Sequence, residues 1–121
     1  MRHGEVRWYT FSPPDKRRPV LILTRNSAIR FFNALTVAPI TTTIRDIPTE
    51  VHLAPADGLL TDCAVNLDNI QTIPKPNLGS LITHLSAEKM QQVKRALCFA
   101  LDIADEYIRA DEYNREVIDD W

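Results

Sequence analysis

The spacing of apolar positions changes two-thirds of the way along the chain. From Val6 to Ile73 the apolar residues come in short runs broken by turn chemistry. Val6–Thr10 reads as a first strand, rich in aromatic and β-branched residues. Ser12-Pro13-Pro14-Asp15 closes it, because two prolines cannot continue a hydrogen-bonded ladder. Pro19–Thr24 is an apolar run of the kind expected for a central strand buried on both faces. Leu35–Thr41 follows, with Pro39 marking an edge or bulge late in that strand. Thr49–Leu53 is a further short strand, and Ala54-Pro55-Ala56-Asp57-Gly58 is a turn. Cys63–Leu67 and Ile70–Ile73 alternate around Asp68-Asn69. Strands at this spacing, with no helices between them, predict an antiparallel barrel or sandwich.

Beyond Ser86 the period becomes 3.6. Ser86 is a good N-cap and Glu88 suits the positive end of a helix dipole. Met90, Val93, Leu97, Ala100, Leu101, Ala104 and Ile108 then form one apolar stripe. No breaker stands before about Arg109–Tyr113, so the helix is predicted to run on into the C-terminal segment. The pattern implies an α+β fold, a small twisted antiparallel barrel closed by a C-terminal helix.

At 121 residues the chain is one domain. Its net charge of -2 argues at first against a nucleic-acid partner. Division of the chain reverses that inference. Residues 1–104 carry twelve Lys and Arg against nine Asp and Glu, whereas residues 105–121 carry two against seven. A basic body is followed by an acidic tail, and the tail alone makes the total acidic. Cys63 and Cys98 fit neither a disulfide framework nor zinc spacing, and their apolar surroundings predict buried reduced thiols. Met1-Arg2-His3-Gly4-Glu5 has no apolar signal core, and Pro19–Leu23 is too short to span a bilayer. A soluble cytoplasmic protein with no membrane partner is expected.

Several site types are missing. With three glycines there is no phosphate loop, no GxSxG or HExxH occurs, and His3, His52 and His84 are scattered. Two polar clusters remain, Lys16-Arg17-Arg18 before one strand and Thr41-Thr42-Thr43 at the end of another. Either alone is an ordinary solvated strand end. Together, a guanidinium and a hydroxyl presented from neighbouring strand ends make an anion site, since Arg binds phosphate through two parallel hydrogen bonds.

Arg18-Pro19-Val20-Leu21-Ile22-Leu23, Val37-Ala38-Pro39-Ile40-Thr41, Ile47-Pro48-Thr49-Glu50-Val51 and the run from Cys63 to Ile73 resemble the successive signatures of the MazF/PemK toxin family. Gly4-Glu5-Val6 is similar to the family's opening strand, and Leu81–Leu101 to its closing segment. The resemblance covers about residues 3–103. It implies a toxin domain at 1–103 and an acidic extension at 104–121, helical and then frayed. It also implies an SH3-like antiparallel β-barrel of the CcdB/PemK type with a C-terminal helix. The expected protein is a homodimer that cuts single-stranded RNA at short sequences through 2′-OH attack, without metal or cofactor, and that a MazE-like antitoxin neutralises.

The family's catalytic Arg and Thr match Arg18 and Thr41. Lys16, Arg17, Asn26, Thr42, Thr43, Asn69 and Gln71 are the accompanying candidates for RNA contacts. Glu50 and Asp68 are carboxylates that the resemblance sets near the groove. Trp8, Tyr9, Phe31 and Phe32 are the candidates for base stacking. Two departures stand out. The loop before Arg18 is short, and the extension either is a solvated tail or imitates the acidic C-terminal segment of an antitoxin. A different reading of the same barrel is a non-catalytic toxin or interaction module acting on a protein such as gyrase. The Arg18–Thr41 pair favours the nuclease.

Overall fold

A computed structural model describes residues 1–13 and 16–104. The strands are β1 (Glu5–Thr10), β2 (Arg17–Ile22), β3 (Ala34–Thr41), β4 (Glu50–Leu53), β5 (Cys63–Asn66), β6 (Gln71–Pro74) and β7 (Leu78–His84). A single-turn helix α1 (Asn26–Ile29) separates β2 from β3, and α2 (Ala87–Ala100) follows β7. All pairings are antiparallel, in the order β4-β5-β3-β2-β1-β7, with β6 also on β3. The α+β class is as expected, but the sheet is open rather than a closed barrel, since β4 and β7 do not pair.

The path branches on β3. Its first half, Ala34–Val37, pairs with β6, and its end, Ile40–Thr41, pairs with β5. Pro39 falls in the gap between these two ladders. A residue without an N–H costs nothing where one partner strand gives way to another.

Strand alternation sorts the side chains onto two faces. Val6, Leu21, Ala38, Ile40, Val51, Leu53 and Val65 form one core together with Val93 and Ala96 of α2. Val20, Ile22, Leu35, Val37, Ile73 and Leu78 form the other, packed by Tyr9 and Phe11. Leu21 and its neighbours Val20 and Ile22 therefore face opposite cores, all three at 0% exposure. The buried central strand expected at Pro19–Thr24 is observed, displaced to Arg17–Ile22. Along β2, Arg18 shares the second face with Val20 and Ile22. Along β3, Pro39 and Thr41 share it with Leu35 and Val37.

Helix α2 starts as expected, with the Ser86 side chain accepting from the Lys89 amide. It ends earlier than its apolar stripe suggests. The Asp102 amide bonds to the Phe99 carbonyl and the Ile103 amide to the Cys98 carbonyl, with Asp102 at φ 56°. This is a Schellman termination, which satisfies the last carbonyls and turns the chain away. Glycine usually signals it, and Asp tolerates the left-handed conformation less conspicuously. Leu101 is consequently 48% exposed instead of buried on the stripe. The expected helical extension and acidic tail fall, from residue 105 onward, outside the described residues. No helix among the described residues is long and apolar enough to cross a membrane.

Glu5 ties the start of β1. Its carboxylate accepts from Arg7 Nε at 2.8 Å, and Arg7 Nη1 donates to the Gly79 carbonyl on β7. Burial alone would raise the Glu5 pKa. The hydrogen bond and charge of Arg7 outweigh it, so the group titrates below the usual carboxylate value. The folded state thus releases this proton more readily than the unfolded chain. The resulting stabilisation is complete above the ordinary value and is lost as pH falls through the lowered one. Urea midpoints measured across pH are expected to drop below about pH 4, and Glu5→Gln flattens that drop. Identical acid dependence in both proteins would show that the Glu5–Arg7 pair contributes nothing to it.

Candidate active site

Arg18 lies where two surface cavities meet. One, of about 250 Å³, is lined by Arg18, Pro39, Thr41, Thr43, Arg45, Asn66 and Asn69. The other, of about 240 Å³, is lined by Phe11, Arg18, Pro39, Asn69 and Gln71. The placement follows from register. Tyr9 pairs with Arg18, Val20 with Pro39 and Thr41 with Ala64, and side chains paired directly across strands point to the same face. Counting along β5 from Ala64 puts Asn66 on that face too.

The polar groups are aimed by neighbours of modest cost. Thr41 Oγ1 accepts from the Thr43 amide at 3.1 Å, which leaves its hydroxyl proton available to donate. Arg45 is held by Glu50, whose two oxygens accept from the Arg45 backbone amide (2.8 Å) and from its Nε (3.1 Å). The two terminal nitrogens of Arg45 remain for other acceptors. Arg18 itself has no hydrogen-bond or ion-pair partner among the described residues, and it is half-buried. Among the described residues, no carboxylate or imidazole lines either cavity. Two guanidinium groups, a hydroxyl proton and side-chain amides form a donor-rich trough. Such a surface binds an anion, and a divalent cation there would face two fixed positive charges.

Of the residues expected from the sequence, the fold brings Arg18, Thr41, Thr43 and Asn69 to one cavity and Gln71 to its neighbour. The others lie apart. Arg17 points to the opposite face and stacks over the Trp8 ring at 4.3 Å. Trp8 and Thr42 line a separate apolar cavity with Pro19, Ile40 and Cys63. Asn26 accepts from the His3 amide at 2.8 Å and pins the N-terminal turn to α1. Lys16 is exposed on the β1–β2 loop, outside both cavities. Glu50 is committed to Arg45, and its side chain is only 3% exposed. Asp68 accepts from the Thr49 hydroxyl at 2.6 Å.

Tyr9 packs edge-on against Phe11, at 4.7 Å between centroids, and belongs to the core. Phe31 and Phe32 are exposed beside α1, each under an arginine, and line neither cavity. Cys63 is buried as expected. Burial, with Asp57 and Asp62 nearby, raises its thiol pKa. Cys98 is only half-buried.

Arg45, Asn66 and Phe11 line the site without having been singled out from the sequence. Asn66 carried a signal, being a polar residue inside the apolar run Cys63–Leu67. Arg45 carried none, since only its pairing with Glu50 brings it in.

Known proteins share the sequence and the fold of this chain. Endoribonuclease MazF3 of Mycobacterium tuberculosis is 44% identical over 89 residues, which is 74% of this chain and 86% of that protein. The solved structure of M. tuberculosis toxin MazF-mt6 superposes with a TM-score of 0.77 at 39% identity, covering 84% of this chain and 99% of the toxin. A mycobacterial endoribonuclease solved in complex with its cognate antitoxin also gives 0.77, at 30% identity, over 87% of this chain and 98% of that one. Residues 2–101 match the family described as PemK-like, MazF-like toxin of type II toxin-antitoxin system. On a match that spans nearly the whole described body, the chain belongs to that toxin family.

Proposed function

We propose that this protein is a sequence-specific endoribonuclease that cleaves single-stranded RNA through its own 2′-OH, without a metal ion, in a toxin-antitoxin pair. The observation that carries the reading is the Arg18 guanidinium, without a partner among the described residues, beside the Thr41 hydroxyl in a cavity whose described lining offers donors and no carboxylate. In this reaction the 2′-oxygen forms a bond to phosphorus as the bond to the 5′-oxygen breaks. One product ends in a 2′,3′-cyclic phosphate and the other in a 5′-OH. The 2′ proton passes to solvent and the 5′-oxygen is protonated from it. The protein supplies no nucleophile. Arg18, with Thr41 donating beside it, stabilises the added negative charge on the five-coordinate phosphorus. Arg45 brings a second positive charge to the same place, oriented by Glu50.

Residues 1–103 serve as the toxin domain and 104–121 as an acidic extension. A homodimer in the cytoplasm, held inactive by a MazE-like antitoxin, completes the reading. The test is to incubate the purified protein with mixed RNA, with and without EDTA, and to map fragment ends. Discrete fragments with cyclic phosphate ends, undiminished by EDTA, are expected. Intact RNA, with inhibition of gyrase supercoiling instead, would move the assignment to the protein-directed alternative.

A further inference from the structure

Asn66 poses a question of hydrogen-bond accounting. The residue is 6% exposed, yet it lines the cavity that holds Arg18 and Thr41. Its Oδ1 accepts from the Asp68 amide at 3.0 Å and caps the 3-10 turn Leu67–Asn69. That bond fixes the orientation of the amide, because a backbone N–H requires the oxygen there. Both hydrogens on Nδ2 are left without a partner among the described residues. A buried polar group with no partner is uncommon and costs stability, and a ligand acceptor offsets that cost.

We propose that Asn66 determines sequence specificity by donating from Nδ2 to a carbonyl oxygen or ring nitrogen on the base of the nucleotide bound next to Arg18. The proposal rests on the ribonuclease reading above. Arg18 and Arg45 already supply positive charge for the phosphate. What Asn66 adds is neutral and directional, a donor locked in orientation by its own oxygen. A base edge that presents an acceptor satisfies it, and one that presents an amino group leaves two donors opposed.

The test uses a pool of synthetic RNAs randomised over a short window, with cleaved ends sequenced for the wild type, Asn66→Ser and Asn66→Asp. Both replacements retain an oxygen able to cap the Asp68 amide, so the fold is kept, and thermal midpoints check this. In Asn66→Ser the base preference at one position of the cleaved sequence is expected to relax about tenfold. In Asn66→Asp it shifts toward bases that present an amino hydrogen. A change at one position in either variant supports the assignment. Unchanged preference in both overturns it, whether or not the overall rate falls. If the wild type yields no fragments, the ribonuclease reading and this assignment fall together.

Discussion

Arg18→Ala is expected to slow RNA cleavage by about 10²–10³-fold, the usual cost of removing one donor preorganised for transition-state charge. The loss should appear in the rate at saturating RNA more than in affinity, because the extra charge exists only at the five-coordinate phosphorus. Arg18→Lys is expected to recover part of the rate, since it keeps the charge and loses the planar fork. Neither change should unfold the protein. Arg18 has no hydrogen-bond or ion-pair partner among the described residues, so its removal falls within the ~0.5 kcal/mol typical of substitutions away from buried features. Rates are read from fragment formation on a defined RNA and stability from urea midpoints. Wild-type rates in Arg18→Ala would remove Arg18 from the chemistry and with it the assignment of this cavity as the active site.

Leu21→Ala is expected to have the largest effect on stability. Leu21 is at 0% exposure in the middle strand, between Val6 of β1 and Ala38 of β3, and it faces the core that α2 covers. Sheet lies on both sides of it and the second core behind, so the cavity left by truncation has little freedom to collapse. The cost is about 3–5 kcal/mol, against a total of roughly 5–15 kcal/mol for a domain of this kind. Leu60→Ala provides the contrast. Leu60 is 89% exposed, and its truncation is expected to shift stability by no more than ~0.5 kcal/mol. Equal shifts in the urea midpoints of the two variants would contradict the placement of Leu21 at the centre of the fold.

The strands of the sheet differ in how plainly the sequence shows them. The continuous run Pro19–Leu23 announces a strand buried twice over, and it is one. Strand β7 is not announced, because only Leu78 of its seven residues is buried. An outer strand that pairs on one edge and faces solvent has little apolar pattern to show. The end of α2 was also hidden. The apolar stripe continues past Ala100, but the backbone stops at a left-handed Asp102 that local hydrogen bonds make affordable.

At the site, Arg18 and Thr41 stand out as a cationic and a hydroxyl cluster at strand ends, and the resemblance to a known family selects one residue from each. Their neighbours in sequence do not share the cavity. Arg17 lies on the opposite face, because successive residues of a strand alternate, and Thr42, just past the end of β3, lines the separate apolar cavity.

From the order of its residues alone, this chain determines its α+β class, its central strand, the start of its helix, the basic character of its body and the two polar clusters from which the family resemblance selects Arg18 and Thr41. These are local properties: periodicity, capping, turn residues and charge. The tertiary structure decided what depends on register between distant strands. It left the sheet open, separated Arg17 and Thr42 from Arg18 and Thr41, and occupied Glu50 and Asp68 with protein partners. It also brought Arg45 and Asn66 to the cavity. A register shift of one residue would turn each strand's side chains to the other face, and no window of sequence encodes that pairing.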